Sequence, residues 1–180
     1  NRNKSENTIS VTGLGTKKFT SDLITWSGNF SRNSFELKQA YDALSNDRKI
    51  IENYLISKGI PKNEIVFSAV DIQKQYNYVS DANGSSHQTF AGYQLTQSVS
   101  LESKDVAKIE NLSRNITEII NLGIEFTSSR PNYFYTKLAE VKQEMIANAT
   151  KDAKERAENI AETAGSSLGN LKKATMGVIQ

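Results

Sequence analysis

Side chains that carry most enzymatic chemistry are scarce in this chain of 180 residues, which holds one histidine, His87, and no cysteine. Thiolate nucleophiles, disulfides, zinc fingers and iron–sulfur ligation are excluded together, and no histidine cluster exists for a transition metal. His87 could act as a general base, but no Asp or Ser stands at a recognised motif spacing from it, and its setting is a polar hairpin tip. It reads as an exposed loop histidine. Gly13-Leu14-Gly15 follows a β-branched run as a dinucleotide-binding turn would, yet the third glycine and the immediate helix are missing. The two glycines therefore predict a backbone bend. Acidic residues are scattered or interleaved with basic ones on helices, unlike the converging carboxylates of a glycosidase or a divalent-metal site. No catalytic residue, cofactor or metal is expected, and the chain reads as a non-enzyme.

Aromatic side chains offer a different chemistry. Tyr76, Tyr78, Phe90 and Tyr93 flank the polar cluster from Ser80 to Ser86. Such residues either form cross-strand pairs that cover a sheet or supply rigid contact area to a neighbouring protein. These four are the candidate interface residues.

Charge narrows the partners. Lys and Arg number 22 against 20 Asp and Glu, a formal net charge of +2. That is too small for the electrostatic footprint of a nucleic-acid binder or of a protein held on an anionic membrane. No run approaches the roughly 18 apolar residues of a membrane span, so no transmembrane segment is expected. The chain starts on Asn1 rather than Met and is rich in Asn, Ser and Thr. A trimmed export signal and an envelope location are the corresponding expectation.

The elements that must position these residues follow from periodicity. Thr8–Gly15 predicts a first strand, and in Ser21–Ser31 the positions Ile24, Trp26, Gly28 and Phe30 share one face of a second. Ser34 can cap a helix carrying Leu37, Ala40, Tyr41, Leu44, Ile51 and Leu55, which Gly59-Ile60-Pro61 stops. Ile65–Tyr78 and Thr89–Leu101 predict a long hairpin with a flexible polar tip. A helix with Val106, Ile109, Leu112, Ile116 and Ile119 on one stripe ends at Gly123, and a short strand follows over 124–127. A long helix is expected from about Asn132 to Ala164, capped by Gly165, with a closing strand over Leu171–Ile179. The first two strands and the central pair are joined too closely for parallel crossovers.

The fold expected is α+β, with two interlocked helix-on-sheet units, mixed or antiparallel sheets and the order ββαββαβαβ. The first unit would take residues 8–88 plus 132–180 and the second 89–131, inside one domain.

The order of motifs resembles the SIMPL-domain (DUF541) family over nearly the whole chain. The residues concerned are Ile9–Gly15, Ser21-Asp22-Leu23, Leu55–Ile60, Phe90-Ala91-Gly92-Tyr93, the Ala-rich Ala147–Ala157, and Ala164-Gly165 leading to Leu168-Gly169. Ser21 stands where the family often has Pro, and the hairpin tip is longer than that pattern. The resemblance implies an exported protein of the bacterial envelope, periplasmic or envelope-associated, linked to stress responses and tending to self-associate. It brings no catalytic residues. The partners expected are further copies of the chain and an unidentified envelope protein, with no nucleic acid. The alternative reading is a small-ligand binder using the cleft between the two units.

Overall fold

The computed structural model describes the backbone of residues 6–11 and 13–178. Among the described residues eight strands form antiparallel sheets and three α-helices accompany them, the α+β class expected. The described residues divide into two compact units, 21–135 and 6–20 with 136–178.

In the first unit, β3 (Leu23–Ser34) alternates strictly, with Ile24, Trp26, Gly28 and Phe30 buried. It is followed by α1 (Leu37–Ser57), a single 3-10 turn (Lys62–Glu64), β4 (Ile65–Phe67), β5 (Asp71–Ser80) and β6 (Ser86–Ser103). Next come α2 (Val106–Asn115), a 3-10 segment (Ile116–Leu122), β7 (Glu125–Ser128) and β8 (Asn132–Phe134). The six strands make one sheet in which β3 and β6 pair centrally over eleven positions from Ile24↔Ser103 to Ser34↔Tyr93. Both β4 and β5 border β6, while β7 and β8 border β3.

One face of this sheet carries the core. Side chains from β3 and β6 meet Ala40, Leu44, Ile51 and Leu55 of α1 and Val106, Ile109 and Leu112 of α2 in one apolar cluster. Burial of such side chains stabilises by about 1.5–3 kcal/mol each relative to exposure, which is why their spacing dictates the helices. Gly28 has a specific reason to be glycine: the Phe126 ring occupies the space a Cβ would fill, and that ring stacks on Trp26 at 6.1 Å. Gly59 (φ 86°) ends α1 and Gly123 (φ 86°) ends the 3-10 segment, each in the left-handed region.

The second unit contains β1 (Glu6–Val11) and β2 (Gly15–Thr20), an antiparallel hairpin in register from Glu6↔Thr20 to Val11↔Gly15. It also contains α3 (Leu138–Val178), of 41 residues. Lys17 of β2 reaches Glu144 of α3 at 3.3 Å.

Several sequence expectations change in detail. The glycine bend is the turn of a hairpin, with Gly13 at φ 80° and Leu14 N–H donating to Val11 at 2.9 Å, so residues 15–20 form a strand that periodicity missed. Helix α1 starts at Leu37, and Ser34 ends β3 while its hydroxyl accepts the Glu36 N–H at 3.2 Å. Residues 132–134 are the strand β8 rather than the start of the long helix, because Leu23, Ile24 and Thr25 offer them an open strand edge. Gly165 does not stop α3, since a helix interior tolerates Gly at about 1 kcal/mol and the Leu, Lys, Ala and Met that follow favour helix. The closing strand is thus absent over 171–178, and Ile179 lies outside the described residues.

The two compact units are bounded at 20/21 and 135/136. A division at 88/89 would cut through β6 where it pairs with β5. Residues 136–178 accordingly join the β1–β2 hairpin and not the unit of α1.

Candidate functional site: an aromatic ribbon beyond the sheet

The long hairpin is built by register. Strand β3 ends opposite Tyr93, so from Gln75↔Gly92 to Ser80↔Ser86 the strands β5 and β6 pair only with each other among the described residues. A two-stranded ribbon buries too little surface to be stable alone, and its own side-chain cluster has to help hold it.

That cluster depends on a β-bulge. Gln75 pairs with Gly92 but Tyr76 pairs with Phe90, leaving Ala91 as the extra residue. Side chains alternate along a strand, and one extra residue exchanges the faces beyond it. Without the bulge, Thr89 and His87 would continue the face of Tyr93 and Leu95. With it, Phe90 and Gln88 take that face, opposite Tyr76 and Tyr78. Gly92 adopts φ 112°, and a Cβ there would stand 3.0 Å from the Ser34 carbonyl oxygen.

The outcome is a chain of edge-to-face rings. Phe90 lies 6.0 Å from Tyr76, 5.2 Å from Tyr93 and 6.3 Å from Phe35, separations at which ring quadrupoles attract. Three of the four candidate interface residues therefore meet through Phe90. Tyr78 stays outside this ring chain and accepts a hydrogen bond from the Gln88 side-chain amide at 2.9 Å. Phe35 was not foreseen; its position directly after the polar end of β3, just before a helix, carries no periodic signal. Despite the packing, Tyr78 is 75% and Phe35 69% exposed, and Tyr76 and Phe90 also remain partly open. Tyr93 is half-buried against the core.

The tip closes as a hydrogen-bonded turn. Asp81 Oδ1 accepts the N–H groups of Asn83 and Ser85, both at 3.0 Å, and Gly84 takes φ 80°. His87 lies in β6 opposite Val79, on the face away from the rings, and is exposed within a strand instead of a loop. Among the described residues no three His, Asp or Glu side chains converge as a metal site. What the arrangement offers chemically is apolar and aromatic contact area with polar edges.

The chain matches the family model described as SIMPL, a protein of unknown function (DUF541), over residues 9–179. It belongs to the SIMPL family. Two similar proteins are the 26 kDa periplasmic immunogenic proteins of Brucella abortus (strain S19), 24% identical over 166 residues, and of Brucella melitensis biotype 1, 23% identical over 166 residues. Each alignment covers 91% of this SIMPL chain and 64% of the relative, so the chain spans a little under two thirds of the length of these curated relatives. No helix among the described residues is long and apolar enough to cross a membrane.

Proposed function

We propose that this SIMPL chain is a non-catalytic, self-associating protein of the bacterial envelope, connected with stress and acting as a scaffold or interaction module. The observation that carries the reading is the ring chain Phe35–Phe90–Tyr76/Tyr93, set with the exposed Tyr78 on a ribbon that no other strand covers among the described residues. Aromatic residues at a rigid, protruding position lose little side-chain entropy on docking and dominate interface energetics. The occupant is a second copy of the chain. The periplasmic naming of the Brucella relatives supports the envelope location. An export signal in the full reading frame belongs to the same reading.

The test removes residues 81–86 and replaces Tyr76 and Tyr78 with Ser. The expected result is a lower assembly state with an unchanged far-UV spectrum and cooperative unfolding. A variant that keeps the wild-type solution mass would overturn the assignment to the ribbon. Replacing His87 with Ala is expected to leave assembly and any phenotype unchanged, and an activity abolished by that change would establish an enzyme.

A further inference from the structure

The edges of the six-stranded sheet are unequal. On one side it ends in β7 and β8, strands of four and three residues interrupted by Ser129-Arg130-Pro131. On the other side it ends in β4, of three residues, and β5, of ten. A strand edge presents unpaired N–H and C=O groups that a further strand can take up, and proteins blunt such edges with short strands, proline, bulges or charge. Shortness blunts β4, β7 and β8, and Pro131 adds to it. Strand β5 is long, has no proline and carries one lysine, Lys74, while the bulge of the ribbon falls on β6 and leaves β5 regular. Among the described residues no strand pairs with its outer edge.

The strand also matches itself. Half a turn about an axis normal to the sheet gives β5 an antiparallel neighbour of identical sequence whose side chains keep their faces. With the axis at Gln75, Ile72 falls opposite Tyr78 of the other copy, Gln73 opposite Asn77, and Lys74 opposite Tyr76. Apolar side chain meets apolar, amide meets amide, and an ammonium meets an aromatic ring, while no like charges face each other. Moving the axis one residue back sets Lys74 against Lys74; moving it one residue on sets Ile72 against Ser80 and Val79 against Gln73. Gln75 is therefore the axis of best match. In that register Tyr76 and Tyr78 of both copies lie on one face of a continuous sheet, which carries the ring chain across the seam. This self-match selects a second copy as the occupant of the edge.

We propose that two copies of the chain join by pairing their β5 edges antiparallel about a two-fold axis at Gln75, so that the sheet continues from one copy into the other. This rests on the self-association proposed above and specifies its geometry. Main-chain hydrogen bonds supply the affinity and the facing side chains the register. Gln73 and Asn77 are exposed and alternate with Tyr76, so they point away from the rings, and their partners on β6, Gln94 and Thr89, are neutral. The test is a charge swap at these two positions, read by sedimentation of the full chain over a concentration series. In Gln73→Lys/Asn77→Lys two like-charged pairs face across the seam, and the dimer dissociation constant should rise about tenfold, less in high salt. In Gln73→Lys/Asn77→Glu the facing charges are opposite, and affinity should return at least to that of the wild type. Thermal unfolding of both variants at concentrations where the chain is monomeric should match the wild type, which separates loss of assembly from loss of fold. Because the chain has no cysteine, Asp71→Cys, Gln73→Cys, Asn77→Cys and Val79→Cys can each carry a single spin label. Label separations between copies should be equal at 73 and 77, equal at 71 and 79, and about 14 Å longer at the second pair, because two-fold related positions part by two residue rises per step. Assembly indifferent to the charge swap, or separations without this symmetry, would overturn the edge pairing and leave self-association standing. A wild type that stays monomeric would overturn self-association itself and the edge pairing with it.

Discussion

Arg32 and Asp47 show what a single pair of side chains adds to this fold. Asp47 is 1% exposed on α1, and Arg32 on β3 grips it twice, Nε to Oδ2 at 2.6 Å and Nη2 to Oδ1 at 2.8 Å, while Nη2 also reaches the Gly123 carbonyl at 3.3 Å. The hydrogen bond to Asp47 raises the Arg32 pKa above its ordinary value. Removing the carboxylate charge leaves a partly buried guanidinium without its partner, so Asp47→Asn should lower stability by about 1–3 kcal/mol in urea unfolding. The sequence offered a signal for this pair that composition hides: Asp47 falls three residues after Leu44 and four before Ile51, on the apolar stripe, and Arg32 falls on the core-facing side of β3. Reading charges as solvated faces misses both. Tyr54 gives a second residue-level test. Burial and its hydrogen bond to Glu118 at 2.9 Å push its phenol up to about 12 from 10.0. A pKa raised on folding favours the protonated form, so the contribution of Tyr54 is complete below pH 10 and is lost as pH rises through about 12. Ultraviolet titration of the phenolates should show a late component that Tyr54→Phe removes, and the variant should lose the corresponding fall in stability at high pH.

At the scale of elements, what periodicity could reach and what it could not are set by different forces. The β3 alternation, the α2 stripe and the stops at Gly59 and Gly123 were legible because each depends on burial or on a left-handed backbone position. Strand β8 was not legible, because Asn132-Tyr133-Phe134 becomes a strand only by pairing with Leu23–Thr25, more than a hundred positions away in the chain. Hairpin strand β2 was hidden for a related reason: its residues other than Phe19 are exposed and carry no alternation. The four ribbon residues could be named from sequence, but the meeting of Tyr76 and Tyr93 at Phe90 could not, since it depends on Ala91 being an extra residue. Glycine at position 92 inside a strand was the available sign of a bulge. Deleting Ala91 should remove the bulge while leaving Phe90 opposite Tyr76 on the Tyr93 face, so assembly and the core of the first unit should both persist. Gly92→Ala should cost about 1–2 kcal/mol, because its φ of 112° and its approach to Ser34 both oppose a Cβ. Chemical denaturation checks the second change and solution mass the first.

For the whole molecule, family membership and fold class were within reach of the sequence, since ordered motifs and burial patterns survive at 24% identity. The function class rests on a surface, and surfaces leave a weaker trace: Tyr78 and Phe35 owe their exposure to strand ends and register, which no local pattern encodes. The proposed self-association through the aromatic ribbon would make the mass of the wild-type protein depend on concentration by mass action. The most direct test is therefore the solution mass of the wild-type chain, measured by light scattering or sedimentation over about two decades of concentration. A mass that rises with concentration from one chain toward a defined multiple of 20.0 kDa is the predicted result. A constant 20.0 kDa over the whole range would contradict self-association and leave the ribbon as a surface element without a partner of its own kind.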